Sequence, residues 1–180
     1  GDLRLCADRG VDLVFLPDTL YPPDFATRVR VDALTSILCG ASRPGHFEGV
    51  TTVVARLFGV VGPCAAVFGE KDWQQFVVVR RMALALALDV DVVAGPLVRD
   101  DDGLALSSRN RYLSPSDRVR ALSLHRALLA LRDGREASVP ALLEAGRAQL
   151  DVDRLDYLAV VDPWTLERLP RVDRPARALV

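Results

Sequence analysis

Lysine is almost absent from this chain of 180 residues: Lys71 is the only one among 23 basic side chains, the rest being arginine. An arginine-biased proteome would produce that imbalance everywhere. Under such a bias, a surviving lysine raises the question of what a compact, mobile ammonium does there that a planar guanidinium cannot. Cysteine occurs three times, at Cys6, Cys39 and Cys64. An odd number of widely spaced thiols in apolar runs speaks against a disulfide framework or a zinc site and for buried free thiols in a reducing cytosol. The two histidines, His46 and His125, are too few and too far apart to suggest a metal centre or a Ser-His-Asp arrangement. No apolar run reaches the ~20 residues of a membrane-spanning helix, and no signal-peptide pattern opens the chain. With 23 basic against 24 acidic side chains the formal charge is −1, which offers no footprint to nucleic acid or to an anionic membrane.

What is present is the composition of a folded globular protein, 50% hydrophobic and 26% charged. Surface scaling for this size predicts roughly 8,600 Å² exposed out of roughly 28,600 Å² in the unfolded chain, enough burial for a sizeable core. Apolar periodicity switches between two and about 3.6, the mark of an α/β protein. The spacing predicts a first helix over 3–8 closed by Gly10, a strand over 11–16 stopped by Pro17, and a proline-rich loop over 17–25. A short strand over 27–32 and a helical turn over 34–38 should follow. Val50, Val53, Val54, Leu57 and Phe58 then form the stripe of an amphipathic helix ending near Gly59 or Gly62. The unalternating run 64–68 predicts a strand buried on both faces of a parallel sheet. A helix over 73–88 and a second buried strand over 90–94 complete a right-handed crossover.

From about residue 98 the character changes. A charged turn at 99–103 leads to a polar run at 107–112. Ser114, Pro115 and Asp117 then occupy the N-cap, N1 and N3 positions of a helix running to about Arg132. A further helix over 139–150 and a half-exposed strand over 155–161 follow, and 175–180 reads as a strand cut off in mid-course. We therefore expect a parallel-sheet domain over 1–97 and a smaller α+β domain over 98–180. Opening on Gly1-Asp2-Leu3, the chain reads as an interior piece of a longer polypeptide.

Two segments could carry chemistry. Gly69-Glu70-Lys71-Asp72 falls where a parallel strand gives way to a helix, a place where unpaired N–H groups and the helix dipole favour phosphate. Gly69 would allow close approach, Lys71 would meet phosphate oxygens and Asp72 ribose hydroxyls. An ordinary capped turn with a solvated lysine fits the spacing equally. Of Gln74 and Gln75, one turn inside the helix, one can face the pocket and the other elsewhere, or both can be solvated. Ser107-Ser108-Arg109 could wrap a polyphosphate, with a solvated loop as the plainer alternative. Asp100, Asp101 and Asp102 suit a solvated turn better than a magnesium ion, and His125 suits a structural role. His46, at a helix start, could face a pocket, cap the helix or lie on the surface.

Three blocks, Pro44-Gly45-His46-Phe47-Glu48-Gly49-Val50-Thr51-Thr52, Phe68-Gly69-Glu70-Lys71-Asp72-Trp73-Gln74-Gln75 and Asp102-Gly103-Leu104-Ala105-Leu106-Ser107-Ser108-Arg109-Asn110, together resemble the pantoate–beta-alanine ligase (pantothenate synthetase) family in order and spacing. The resemblance implies a Rossmann-like fold of the nucleotidyltransferase superfamily, related to class I aminoacyl-tRNA synthetases. It implies ATP-dependent condensation of pantoate with beta-alanine through pantoyl adenylate, with magnesium accompanying ATP. Matched residue by residue, Gly69, Glu70, Lys71, Asp72, Val98, Leu106, Ser107, Ser108 and Arg109 take the ATP-binding positions and Gln75 a pantoate-binding one. Lys71, Ser107, Ser108 and Arg109 take the charge-neutralising roles in catalysis. Leu106 stands where the family usually has methionine, a swap of similar volume. The family's H-x-G-H motif would precede Gly1 and its last strand would follow Val180, so this segment alone is expected to be inactive. A cytoplasmic homodimer is implied. A related adenylating ligase for another small acid, or a non-catalytic nucleotide-binding module, remain as alternatives.

Overall fold

The computed structural model describes residues 1–134 and 138–180. Its first helix, α1 (Asp2–Asp8), ends as expected before Gly10, which adopts φ 69°. Two strands, β1 (Cys64–Gly69) and β2 (Val90–Gly95), pair in parallel with Cys64 opposite Val90 and Gly69 opposite Gly95. Parallel neighbours need a long connection, and helix α4 (Trp73–Ala85) supplies it. Helix α3 (His46–Val61) packs beside α4. Phe47, Thr51, Val54 and Phe58 recur at helical spacing on its buried face. They share a core with Trp73, Phe76, Val79, Met82 and Val92, and Phe58 meets Phe68 edge-on with ring centroids 6.4 Å apart.

The strands are buried on one face only, not on both. Ala66, Phe68, Val90 and Ala94 pack against the helical core, while the alternate residues point away and Val67 is 70% exposed. The predicted strand over 11–16 makes no ladder among the described residues, and Leu13 is 84% exposed. A strand exists only through its hydrogen-bonded neighbour, which apolar periodicity does not report. Both features help explain a total exposed area of 11851 Å², well above the roughly 8,600 Å² expected from chain size.

The segment 27–32 is also not a strand, because its backbone groups go to side chains. Val29 N–H donates to Thr52 Oγ1 at 3.0 Å, and Thr51 Oγ1 donates to the Val29 carbonyl at 2.6 Å. Two buried threonines of α3 thus perform the task of a strand neighbour. The expected helical turn at 34–38 forms slightly later, as α2 (Cys39–Ser42), with Leu34 and Leu38 buried beside it.

In the second half, Ser114 Oγ accepts the Asp117 N–H at 3.1 Å and Pro115 occupies the first position of α5 (Pro115–Asp133), as the capping pattern requires. Helix α6 (Val139–Arg147) packs on α5. Strand β3 (Ala159–Val161) pairs antiparallel with β4 (Arg177–Leu179). β3 is shorter than the expected 155–161 and wholly buried, because it separates two cores. Ala159 and Val161 face the core of α3 and α4, and Leu158 and Val160 face Leu131, Val139 and Leu142 of α5 and α6.

Replacing Thr51 by valine keeps its volume but leaves the Val29 carbonyl without its donor. The expected cost is about 1–3 kcal/mol, read as a lowered midpoint in chemical denaturation with an unchanged m-value.

Candidate functional site

The carboxyl end of β1 runs from Gly69 through a 3-10 turn (Glu70–Asp72) directly into α4. The first N–H groups of that helix therefore open beside the ends of two parallel strands. A Cβ built on Gly69 would meet no atom within 4 Å, and its φ of −68° is available to any residue. Glycine here provides room above the strand end and not a special backbone shape. Asp72 stands at the N-cap of α4 but makes no side-chain capping bond. Its Oδ2 lies 3.8 Å from Lys71 Nζ.

The Glu70 carboxylate is engaged from the far end of the chain. Arg177 Nη1 on β4 approaches Glu70 Oε2 at 3.5 Å, while its guanidinium lies 3.4 Å from the centroid of the Trp73 ring. Trp73 Nε1 in turn donates to the Pro163 carbonyl at 2.8 Å. The turn bearing Lys71 is thus held on both sides by distant segments.

Below it lies a cavity of about 90 Å³ bordered by Lys71, Asp72, Gln75, Arg43, His46 and Tyr157, among others. The two glutamines separate by role. Gln74 Nε2 donates to the Leu34 and Ile37 carbonyls at 2.8 Å each, and its Oε1 accepts the Cys39 N–H at 3.0 Å. That amide is spent on holding the 34–39 loop although Gln74 also borders the cavity, whereas Gln75, half-buried on the same wall, is not engaged in this way. His46 is the first residue of α3, and its Nε2 lies 3.2 Å from Arg43 Nη1. A guanidinium only donates, so Nε2 is the acceptor and the ring is neutral. Burial and then the Arg43 charge hold the His46 pKa below its ordinary 6.5, partly opposed by Asp72. Burial foremost, then Cys39 and Asp72, pushes the Tyr157 phenol above its usual 10.0 and keeps it a donor. Arg43, Tyr157 and Arg177 carry no motif in the sequence and reach the site only through the fold. Two roomier hollows, of about 510 and 470 Å³, lie along the 21–52 region and contain none of the expected site residues.

The second block is a hairpin. Arg99 and Ala105 form an antiparallel bridge, and Leu106 N–H donates to the Val98 carbonyl at 3.0 Å. Val98 and Leu106 are therefore joined as its two ends, with the Val98 carbonyl already taken. Ser107 Oγ accepts the Arg109 N–H at 3.2 Å and starts a 3-10 turn (Ser108–Tyr112) from which Ser108 and Arg109 project into solvent. Among the described residues no hydrogen bond or ion pair links Ser107, Ser108 or Arg109 to Lys71. The expected residues form two clusters, Gly69, Glu70, Lys71, Asp72 and Gln75 in one and Val98, Leu106, Ser107, Ser108 and Arg109 in the other. The acidic turn is not simply solvated, since Asp100 and Asp102 both accept hydrogen bonds from Arg118.

The family model for pantoate-beta-alanine ligase matches residues 1–180. A pantothenate synthetase of Nocardioides is 52% identical over 191 aligned residues, covering 100% of this chain and 56% of that protein. One of Acidiphilium cryptum is 52% identical, covering 99% of this chain and 66% of that protein. The chain thus spans less than two thirds of the length of these relatives. Among solved structures, the pantothenate synthetase of Thermus thermophilus superposes with a TM-score of 0.93 at 52% identity, over 98% of this chain and 67% of that one. The Francisella tularensis pantoate-beta-alanine ligase, complexed with beta-gamma ATP and beta-alanine, gives 0.69 at 30% identity, over 82% of this chain and 57% of that one.

Both histidines resist protonation in the fold, His125 through burial and the charges of Arg99 and Arg132. A ring whose folded pKa is lowered binds its proton more tightly when unfolded. Its stabilisation is therefore complete above the ordinary 6.5 and declines as pH falls through that value toward the folded pKa. Thermal midpoints are expected to drop between about pH 7 and pH 5. The His46→Gln/His125→Gln double variant should flatten that slope in calorimetry at constant ionic strength.

Proposed function

The chain belongs to the pantoate–beta-alanine ligase family, and from that premise we propose that it carries the ATP- and pantoate-binding residues for ATP-dependent joining of pantoate to beta-alanine. The observation that carries this reading is the convergence of Lys71, Asp72 and Gln75 on one small cavity at the joint of β1 and α4. At about 90 Å³ the cavity lies well below the roughly 300–1,000 Å³ of drug-sized ligand sites, so a nucleotide would lie outside it. Pantoate would enter there against the Gln75 amide, which offers donor and acceptor to its hydroxyl and carboxylate. ATP would lie over the exposed strand end, its phosphates near Gly69, Glu70 and Lys71 and its ribose at Asp72. Val98 and Leu106 border its adenine side, and Ser107, Ser108 and Arg109 close on the phosphates from the hairpin. The division into a 1–97 and a 98–180 domain, a homodimeric assembly and a cytoplasmic location belong to the same proposal.

In the first step a pantoate carboxylate oxygen attacks the α-phosphorus. The bond to the β-phosphate oxygen breaks, and pyrophosphate leaves with the electron pair. In the second, the neutral amine of beta-alanine attacks the acyl carbon of pantoyl adenylate, the acyl carbon–oxygen bond to the phosphate breaks, AMP leaves with the electron pair, and the amide nitrogen gives up one proton to solvent. Neither step needs a nucleophilic side chain. Catalysis is alignment by Gln75 together with neutralisation of developing phosphate charge by Lys71, Ser107, Ser108 and Arg109. Magnesium would arrive as part of the ATP complex. The one acidic cluster beside the hairpin does not fit it as a resident ion, because Asp100 and Asp102 are bonded to Arg118.

Pyrophosphate exchange by the complete gene product is expected to depend on pantoate; exchange with another small acid but not with pantoate would replace this reading by that of a related adenylating ligase. Lys71→Ala should lower kcat/KM by about a hundredfold or more, about 3 kcal/mol of transition-state stabilisation. Lys71→Arg should also be impaired, because a planar fork cannot follow the phosphate as a point charge does. An unchanged kcat/KM in Lys71→Ala would remove it from phosphate contact.

A further inference from the structure

The hairpin that presents Ser107, Ser108 and Arg109 is fastened to α5 through one guanidinium. Arg118 Nη2 donates to Asp100 Oδ2 at 2.7 Å, and Arg118 Nε donates to Asp102 Oδ2 at 2.8 Å. All three side chains keep about a third of their exposure, so the hold comes from the geometry of one fork on two carboxylates and not from burial. Both aspartates are themselves tied into the turn. Asp102 Oδ1 accepts the Leu104 N–H at 3.0 Å, and Asp100 N–H donates to the Leu104 carbonyl at 2.8 Å. Gly103 turns the chain at φ 95°, and a Cβ there would lie 2.5 Å from His125 Cδ2, so the turn sits flush on α5. Its carbonyl accepts from Arg99 Nη1 at 2.8 Å. By contrast, the turn carrying Ser107, Ser108 and Arg109 is bonded within itself, Arg109 N–H to Ser107 Oγ and Asn110 N–H to the Ser107 carbonyl, and back to the hairpin, where Asn110 Nδ2 donates to the Ala105 carbonyl at 3.0 Å. Their direction is inherited from the hairpin.

We infer that Arg118 is a positioning residue for the nucleotide: by gripping Asp100 and Asp102 it fixes the hairpin on α5 and aims Ser107, Ser108 and Arg109 at the polyphosphate. The inference rests on the ATP-binding reading of that block and adds a residue outside it. A guanidinium suits the task because its rigid fork reaches two separate carboxylates at once, where an ammonium is a single point charge. With the grip removed, the block must be ordered when ATP binds, and that ordering is drawn from the binding energy.

The test measures, in the complete gene product, the equilibrium dissociation constant for ATP, the KM for ATP and for pantoate, kcat and the thermal midpoint. Arg118→Ala is expected to weaken ATP binding about tenfold or more while leaving the KM for pantoate within about twofold. Arg118→Lys should fall between, and guanidinium ion at millimolar concentration should recover much of the ATP affinity of Arg118→Ala. Unchanged ATP affinity in Arg118→Ala overturns the inference. So does a parallel loss of ATP affinity, pantoate affinity and thermal midpoint that guanidinium does not repair. If Arg118→Ala does not fold, Asp100→Asn and Asp102→Asn each remove one arm and should each weaken ATP binding about threefold; no loss in the double variant overturns the inference. Failure of the unmodified protein to form pantothenate while it still binds ATP would sink the functional reading alone, and the ATP dissociation constants would still decide the role of Arg118.

Discussion

The burial of α4 is the constraint on which the site depends. Trp73, Gln74, Phe76, Val77, Val78, Val79, Met82 and Ala83 are all buried, so the helix is enclosed on most of its circumference. A helix so enclosed has little freedom to rotate or slide, and its first turn, with Lys71 and Asp72 just before it and Gln75 just inside, is fixed at the strand ends. Gln74 shows how tightly. Its amide makes three hydrogen bonds to the 34–39 loop, which locks helix rotation and leaves the neighbouring Gln75 as the uncommitted amide on the cavity wall. A buried amide satisfied three times is strongly position-specific, since any rotation would leave donors unpaired in the core.

What could be read from the sequence were features set by local chemistry. The cap of α5 required only Ser114, Pro115 and Asp117 in a row, and the strand–turn–helix placement of Gly69-Glu70-Lys71-Asp72 required only an apolar run followed by helical spacing. What could not be read were features set by partners far along the chain. The 11–16 run has strand composition and no ladder among the described residues. The 27–32 run finds its partners in the Thr51 and Thr52 hydroxyls, which periodicity counts as interruptions of an apolar stripe. The 155–161 run alternates in sequence, yet both faces of β3 within it are buried because it separates two cores. At the candidate site the same limit hides Tyr157 and Arg177, which approach from more than 80 residues away.

The two clusters of expected site residues are anchored differently, and the difference bears on how the reaction could proceed. The Lys71 turn is held by the core and by the Arg177–Trp73 stack, whereas Ser108 and Arg109 stand in solvent beside half-buried Ser107, on a hairpin fixed by hydrogen bonds to α5. On the proposed in-line attack at the α-phosphorus the acid and the nucleotide must be aligned, and the phosphates are the substrate element that both clusters are proposed to meet. A rigid cluster that orients the acid and a hairpin that meets the phosphates would let ATP itself join the two halves of the site.

The arginine bias then acquires a structural meaning. Arg118 spans two carboxylates, Arg120 reaches Asp151 and Asp153, and Arg177 bridges Glu70 and the Trp73 face. In each case a planar fork fixes two groups at once, which is the work of scaffolding. Lys71 is set apart from these, with one carboxylate 3.8 Å away and a half-exposed side chain. In the proposed adenylyl transfer negative charge passes from the attacking carboxylate to the oxygen that bridged the α- and β-phosphorus and leaves with pyrophosphate, and a charge that follows it must be mobile and lightly committed. A guanidinium held like Arg118 could not make that movement, and the one ammonium side chain stands at the strand end where it would be needed.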